Sequence, residues 1–176
     1  MHTRFTLPGL LACLFFCFAG CDKEDTTPGF DMIYQQDFFL PPGIGPFVTH
    51  HFYLKNIPSR YQTLLAQASK TDEEVVAVLP VQASLAGVFG DADFSIVEEA
   101  SLRVYQESDP TGFVEVAYRF PTPIEPSNVL DLIPSLASAK KIMSKDRFSI
   151  DLALRLRGTT TDETQVRLNL QLKATY

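Results

Sequence analysis

Tryptophan is absent from this 176-residue chain, and cysteine occurs only three times. So few cysteines exclude a disulfide scaffold. Without tryptophan, a sugar-stacking reading of the aromatics is weak. Basic residues are also short: 15 Lys and Arg face 21 Asp and Glu, a formal net charge of −6. A balance of that sign carries no electrostatic footprint for nucleic acid. There is no collagen-like period and no heptad pattern, and 45% of residues are hydrophobic, too many for a disordered chain. The length suits one domain rather than two packed cores.

Catalytic signatures are missing as well. No HExxH or CxxC supports a metal site. No GxSxG presents a serine, and Ser95 and Ser149 read as ordinary strand residues. No GxGxxG or Walker pattern occurs; Gly43-Ile44-Gly45-Pro46 begins that way but lacks the later glycine and a following helix. No catalytic group, cofactor or metal is therefore expected.

What is present starts at the N-terminus. Arg4 precedes a stretch, Phe5 to Gly20, that is almost wholly apolar or small. A charged start, a short apolar run and small residues at its end describe a secretory signal peptide. The uninterrupted run from Gly9 to Cys21 falls short of the ~20 apolar residues that span a bilayer. Phe18-Ala19-Gly20-Cys21 resembles the lipobox of bacterial lipoproteins, a bulky residue and two small ones before a cysteine. The usual residue at the Phe18 position is leucine. The resemblance implies that residues 1–20 are removed and that Cys21 carries a diacylglycerol thioether and further acylation such as palmitate. The alternative is an uncleaved anchor with Cys21 an ordinary thiol. Cys13 and Cys17 leave with the signal, which makes Cys21 the one thiol of the mature chain.

Loss of Arg4 leaves 14 basic against 21 acidic residues, a net of −7. That acidity does not suit anionic lipid head groups, so acyl chains rather than charge would hold the protein to a membrane. Residues 21–29 form a polar, turn-rich tether. Its acidic run Asp22-Lys23-Glu24-Asp25 resembles the surface-export signal of Bacteroidota lipoproteins. An inner-membrane retention signal of the enteric type and a plain solvated linker are the alternatives. The expected location is the cell envelope, with the lipid in the outer membrane and the domain on its periplasmic side or at the cell surface.

Residues 30–176 read as one β-rich domain. Phe148, Ile150, Leu152, Leu154 and Leu156 alternate with polar or small residues, and Val166, Leu168, Leu170, Leu172 and Ala174 repeat the pattern. With a Gly-led loop between them, these two runs predict an antiparallel hairpin. Ala100 to Glu107 and Val114 to Phe120 predict another, turned at Ser108-Asp109-Pro110-Thr111-Gly112. In the second run Val114, Val116, Tyr118 and Phe120 share the apolar face. Val75 to Val81 reads as a strand ending near Pro80, and Ala83 to Phe89 as a further strand closed by Gly90-Asp91-Ala92-Asp93. Met32 to Leu40 and Phe47 to Lys55 flank a Pro/Gly loop. Ser59 can cap a helix bearing Tyr61, Leu64, Leu65 and Ala68. Ser127 or Asn128 can cap a second, with Val129, Leu132, Ile133, Leu136 and Met143, but Pro134 divides it into two short helical pieces or a partly extended crossing. Seven or eight strands with one or two short helices predict a mainly β fold. The expected form is an antiparallel, immunoglobulin-like β-sandwich; the alternative is a small closed β-barrel of lipocalin type.

Few residues offer chemistry. His50 and His51 are adjacent on a strand and so face opposite sides, which keeps one metal from taking both. Asp91 and Asp93 could give a calcium ion two ligands, but turn and cap roles explain them more simply. Acidic residues also gather at Asp72-Glu73-Glu74 and Glu98-Glu99. Phe30, Phe38, Phe39, Phe47, Phe52 and Tyr53 crowd the first third of the mature chain, and core packing is the expectation for them. The expected function is a non-enzymatic, lipid-anchored envelope module that binds a protein partner or supports an envelope complex. The alternatives are a carrier of a small apolar ligand and a hydrolase with an unrecognised site. An exposed apolar patch or a free sheet edge favours the first.

Overall fold

The computed structural model describes residues 28–90 and 92–176. The signal-like segment, Cys21, most of the tether and Asp91 lie outside the described residues.

Eight strands form: β1 (Gly29–Leu40), β2 (Thr49–Pro58), β3 (Ala77–Gly87), β4 (Val97–Gln106), β5 (Asp109–Arg119), β6 (Val129–Pro134), β7 (Arg147–Leu156) and β8 (Thr164–Thr175). Helix α1 (Tyr61–Gln67) follows β2, and α2 (Lys140–Met143) follows β6. The strand order is β1-β8-β3-β6-β5-β4-β7-β2, antiparallel throughout. Between β5 and β6 only two residue pairs meet, Ala117 with Pro134 and Tyr118 with Ile133. The sheet therefore folds at that join into two leaves, β1-β8-β3-β6 and β5-β4-β7-β2. At the opposite side β1 and β2 end the order, each with one free edge.

The expected mainly β sandwich with two short helices is the fold that forms. The immunoglobulin comparison holds for its layers. Its connectivity is that of a jelly roll, two interlocked Greek keys, because only β4 and β5 are joined within a leaf. Inner faces of β7 and β8 supply the centre of the core. Phe148, Ile150, Leu152, Leu154, Leu156, Val166, Leu168, Leu170, Leu172 and Ala174 are all buried.

β7 and β8 are the two alternating runs, but they do not pair with each other. β7 lies between β2 and β4, whereas β8 lies between β1 and β3. Alternation fixes which face is buried and says nothing about which strand is the neighbour. Residues 157–163 carry the chain from one leaf to the other, across the ~10 Å that separates packed sheets.

Three further differences have local causes. The strands expected on either side of Pro80 are one strand, with the register shifting between Pro80 and Gln82. Pro80 cannot donate to the ladder, and the bulge at Val81 absorbs that defect. In β5, Leu102 pairs with Ala117 and Arg103 with Glu115, so Val116 is the extra residue of a bulge. Val116 and Ala117 are both buried, the alternation flips, and Tyr118 and Phe120 point outward. Finally, the segment after Asn128 takes the extended alternative as strand β6, and one short helical piece, α2, follows it after Pro134. Leu130 and Leu132 are buried between exposed Val129, Asp131 and Ile133, and Ser127 Oγ accepts the Val129 N–H at 3.2 Å. Five residues before a proline satisfy both a helical and a two-residue period. The first helix forms, but its N-cap is Arg60, in a left-handed conformation (φ 57) and without a side-chain cap bond; Ser59, one residue earlier, accepts the Tyr61 N–H on Oγ at 3.3 Å.

The two ends of the sandwich differ. The chain comes in at Gly29, beside Thr175, at the end that also carries α1, α2 and the turn between β4 and β5. The other end is built from four loops, residues 41–48, 88–96, 120–128 and 157–163.

Candidate functional site

The outer face of β5-β4-β7-β2 carries a groove of about 330 Å³ in its half nearer Gly29. Strand register builds it. Glu115, Arg103, Asp151 and Tyr53 come side by side across the four strands. Tyr53 and Phe113 are half exposed and form apolar walls, while Tyr105 is buried. Arg103 lies over the Phe113 ring, 4.7 Å from its centroid. Its Nη1 is 3.9 Å from Asp151 Oδ2, a loose pair, and Lys55 Nζ is equally far from Glu107 Oε2. Arg103 Nε donates to Ser101 Oγ at 3.2 Å, and Ser101 donates to Glu115 Oε2 at 2.8 Å. Burial, with the Glu107 carboxylate beside it, pushes the Tyr105 phenol up.

Ser149 organises this face from beneath. It is fully buried, donates to Glu107 Oε1 at 2.7 Å, and accepts the Asn56 N–H at 3.2 Å. Lys55 and Asn56 together stand opposite Ser149, because the β2 register shifts between Leu54 and Ile57. Asn56 takes φ 62 there, a left-handed conformation that asparagine tolerates. Ser149, read from sequence as an ordinary strand residue, thus sets the angle of both charged rim residues.

The two histidines do face opposite ways. His50 Nε2 donates to the Gly45 carbonyl at 2.7 Å and pins the 41–48 loop. His51 Nδ1 donates to Asp151 Oδ1 at 2.8 Å and stacks on Tyr53, with ring centroids 5.9 Å apart at 12°. A histidine oriented by an aspartate is half of a nucleophilic triad. The hydroxyl in its row does not complete it: Ser101 is on β4, two strands away from β2 and thus ~10 Å off, and its proton is given to Glu115. Among the described residues, no group of three His, Cys, Asp or Glu is gathered to hold a metal ion.

The acidic clusters have structural partners. Asp93 Oδ1 accepts the Ser95 N–H at 2.9 Å, which caps the single turn at Phe94–Ile96 and holds the Asp93 carboxyl below the usual range. Asp72 Oδ1 accepts the Tyr61 hydroxyl at 2.6 Å; burial first, and this carboxylate second, push Tyr61 up. Glu98 and Glu99 both reach Arg155, at 3.1 and 3.2 Å.

The expectation that the early aromatics pack in the core holds for some of them. Phe38 is buried against Phe52, with centroids 5.1 Å apart, and Phe30 packs on Tyr61 at 6.0 Å. Phe39, Phe47 and Tyr53 are exposed. At the loop end opposite Gly29, Phe47 is 97% exposed, Phe89 75% and Ile124 71%. These three sit on three different loops of one end. Exposed acids lie on or next to the loops of the same end: Asp93, Glu125, Asp131, Asp162 and Glu163. Arg157 braces the same end. Its Nη2 donates to the Thr122 carbonyl at 2.8 Å, and its Nη1 faces Ser95 O at 2.8 Å, Thr122 Oγ1 at 3.0 Å and the Val97 carbonyl. A cleft of about 500 Å³ opens beside it, between Phe94 and Ile96 on one side and residues 159–164 on the other.

No protein-family model matches this chain, and no curated protein matches it. Among solved structures, a chain described as Desmodium yellow mottle tymovirus is similar over 84% of this chain and 88% of that one. It is 9% identical with a TM-score of 0.26, too low to bear on fold or function. No described helix is long and apolar enough to cross a membrane.

Proposed function

We propose that the protein is a non-enzymatic module of the bacterial cell envelope, lipid-anchored through Cys21 in the outer membrane, that grips a protein partner with its loop end. One observation carries the reading: Phe47, Phe89 and Ile124 stand exposed on three loops of the end away from Gly29. Large apolar side chains left in water at one end of a domain are candidates for contact with a partner. A chain tethered through residues 21–29 turns its Gly29 end toward the lipid and its loop end away from it. The exposed acids of the same end suit a partner whose apolar contact surface is flanked by Lys or Arg. The free edges of β1 and β2 are a second feature of binding modules. The carrier reading needs space between the leaves, and there the large side chains of β7 and β8 fill the core.

Two experiments test it. Palmitate labelling of wild-type and Cys21→Ala protein should mark the first and spare the second; equal labelling sinks the anchor. Affinity isolation of the lipidated protein from detergent-solubilised envelopes should retain a stoichiometric protein. A variant with Phe47→Asp, Phe89→Asp and Ile124→Asp should lose that protein while keeping its melting temperature and its label. Undiminished retention by the variant refutes the loop-end site.

A further inference from the structure

We infer that the groove on the outer face of β5-β4-β7-β2 is a second binding site, and that its ligand is a neutral saccharide. The inference goes beyond the partner-binding reading and does not rest on it, since the groove lies in the half nearer Gly29 and shares none of the loop-end residues.

Three features of the groove point to that chemistry. First, its volume of about 330 Å³ falls within the ~300–1,000 Å³ of small-ligand sites. It is open along its length, which suits one or two rings of a longer chain. Second, Tyr53 and Phe113 give it exposed flat walls without tryptophan. His51 stacked behind Tyr53, and Arg103 laid over Phe113, hold those rings in place. Rings fixed in advance cost less entropy when a ligand lies against them.

Third, the polar groups are balanced. Lys55 and Arg103 bring two positive charges, and Glu107 and Asp151 two negative ones. Each opposite pair stands at 3.9 Å, too far for a direct hydrogen bond. Asp151 Oδ1 is taken by His51, Glu107 Oε1 by Ser149 and Arg103 Nε by Ser101, which leaves Arg103 Nη1, Lys55 Nζ, Asp151 Oδ2 and Glu107 Oε2 to face a ligand. An anionic or cationic ligand meets as much repulsion as attraction there. Adjacent hydroxyls of a sugar both donate and accept, so they can bridge Arg103 to Asp151 and Lys55 to Glu107. The apolar face of the same sugar then lies on Tyr53. Ser149 keeps the Lys55–Glu107 rim in register through its bonds to Glu107 and Asn56.

The test is calorimetric titration of the full-length lipidated protein in detergent micelles. The probes are neutral hexasaccharides of glucose (β1,4-, β1,3- and α1,4-linked), mannose, xylose and N-acetylglucosamine, with hexagalacturonate as the anionic control. The expected result is that at least one neutral probe binds with a Kd of about 1 mM or tighter. Tyr53→Ala and Arg103→Gln should each weaken it about tenfold or more, which is ~1.4 kcal/mol. Both side chains are on the surface, and an unchanged melting temperature checks that each variant is folded. Phe47→Asp at the loop end should leave the affinity as it was. Absence of binding by every neutral probe overturns the inference. So does tighter binding of hexagalacturonate, or neutral binding that survives both groove substitutions.

Discussion

Arg157→Ala is the substitution that most directly probes how the loop end is held. The guanidinium joins the chain just after β7 to the 88–96 and 120–128 loops at once. Removing it leaves the Thr122 and Ser95 carbonyls without their charged donor. Thr122 is only 4% exposed, so water does not readily replace the lost bond. Hydrogen bonds to a charged group contribute about 1.5–3 kcal/mol each when desolvated. Arg157 itself is exposed, so the Ser95 side is discounted and the net loss is about 2 kcal/mol. For a domain of this size that lowers Tm by about 4–8 °C. Urea denaturation followed by circular dichroism gives the free energy, and thermal melts give the shift. Thr122→Val removes the other partner. Because the two side chains share bonds, the double variant should fall short of the summed losses by about 1 kcal/mol. A loss below ~0.5 kcal/mol for Arg157→Ala, or strict additivity with Thr122→Val, refutes the bracing role.

Two other perturbations have defined outcomes. Ser149→Ala should cost about 0.5–1.5 kcal/mol in urea denaturation, since the Asn56 N–H and the Glu107 carboxylate lose Ser149 Oγ but belong to exposed residues that water can reach. Acid should destabilise the protein. The Arg167 guanidinium, bonded to Asp37 at 2.8 and 2.9 Å, holds the Asp37 carboxyl below its ordinary value, and Lys70 does the same for Glu74. Carboxyls with lowered folded values add stability above the usual carboxylate range and lose it as pH falls through their lowered values. The urea midpoint should therefore drop between about pH 5 and pH 2, and Asp37→Asn should flatten that drop.

The sequence was most legible where one period ran long enough. Nine residues of strict alternation at Phe148–Leu156 and again at Val166–Ala174 identified β7 and β8 and their buried faces. It was least legible where a neighbour decides. Nothing in those runs says that each sits between two strands of a separate leaf. Tyr118 and Phe120 continue the apolar period of β5, but the bulge at Val116 turns them out. Val129 to Pro134 is too short for its period to separate strand from helix. The groove was illegible for the same reason. Arg103, Tyr105, Glu107 and Asp151 fall on the polar phase of their strands and Tyr53 was expected in the core, but only the β4-β7-β2 order brings them and Lys55 into one groove. Of the residues weighed beforehand, Asp93 is a turn cap and His50 a loop pin, roles that a polar side chain beside a turn commonly takes.

The most direct measurement of partner binding at the loop end is site-specific photocrosslinking in intact cells. A photoreactive side chain placed at position 47, and separately at 89, is compared with one at position 63 on α1, the Gly29 end. The account predicts a discrete protein adduct of one size from positions 47 and 89 and none from 63. An adduct from 63 alone, adducts only to lipid, or no adduct from either loop position contradicts it.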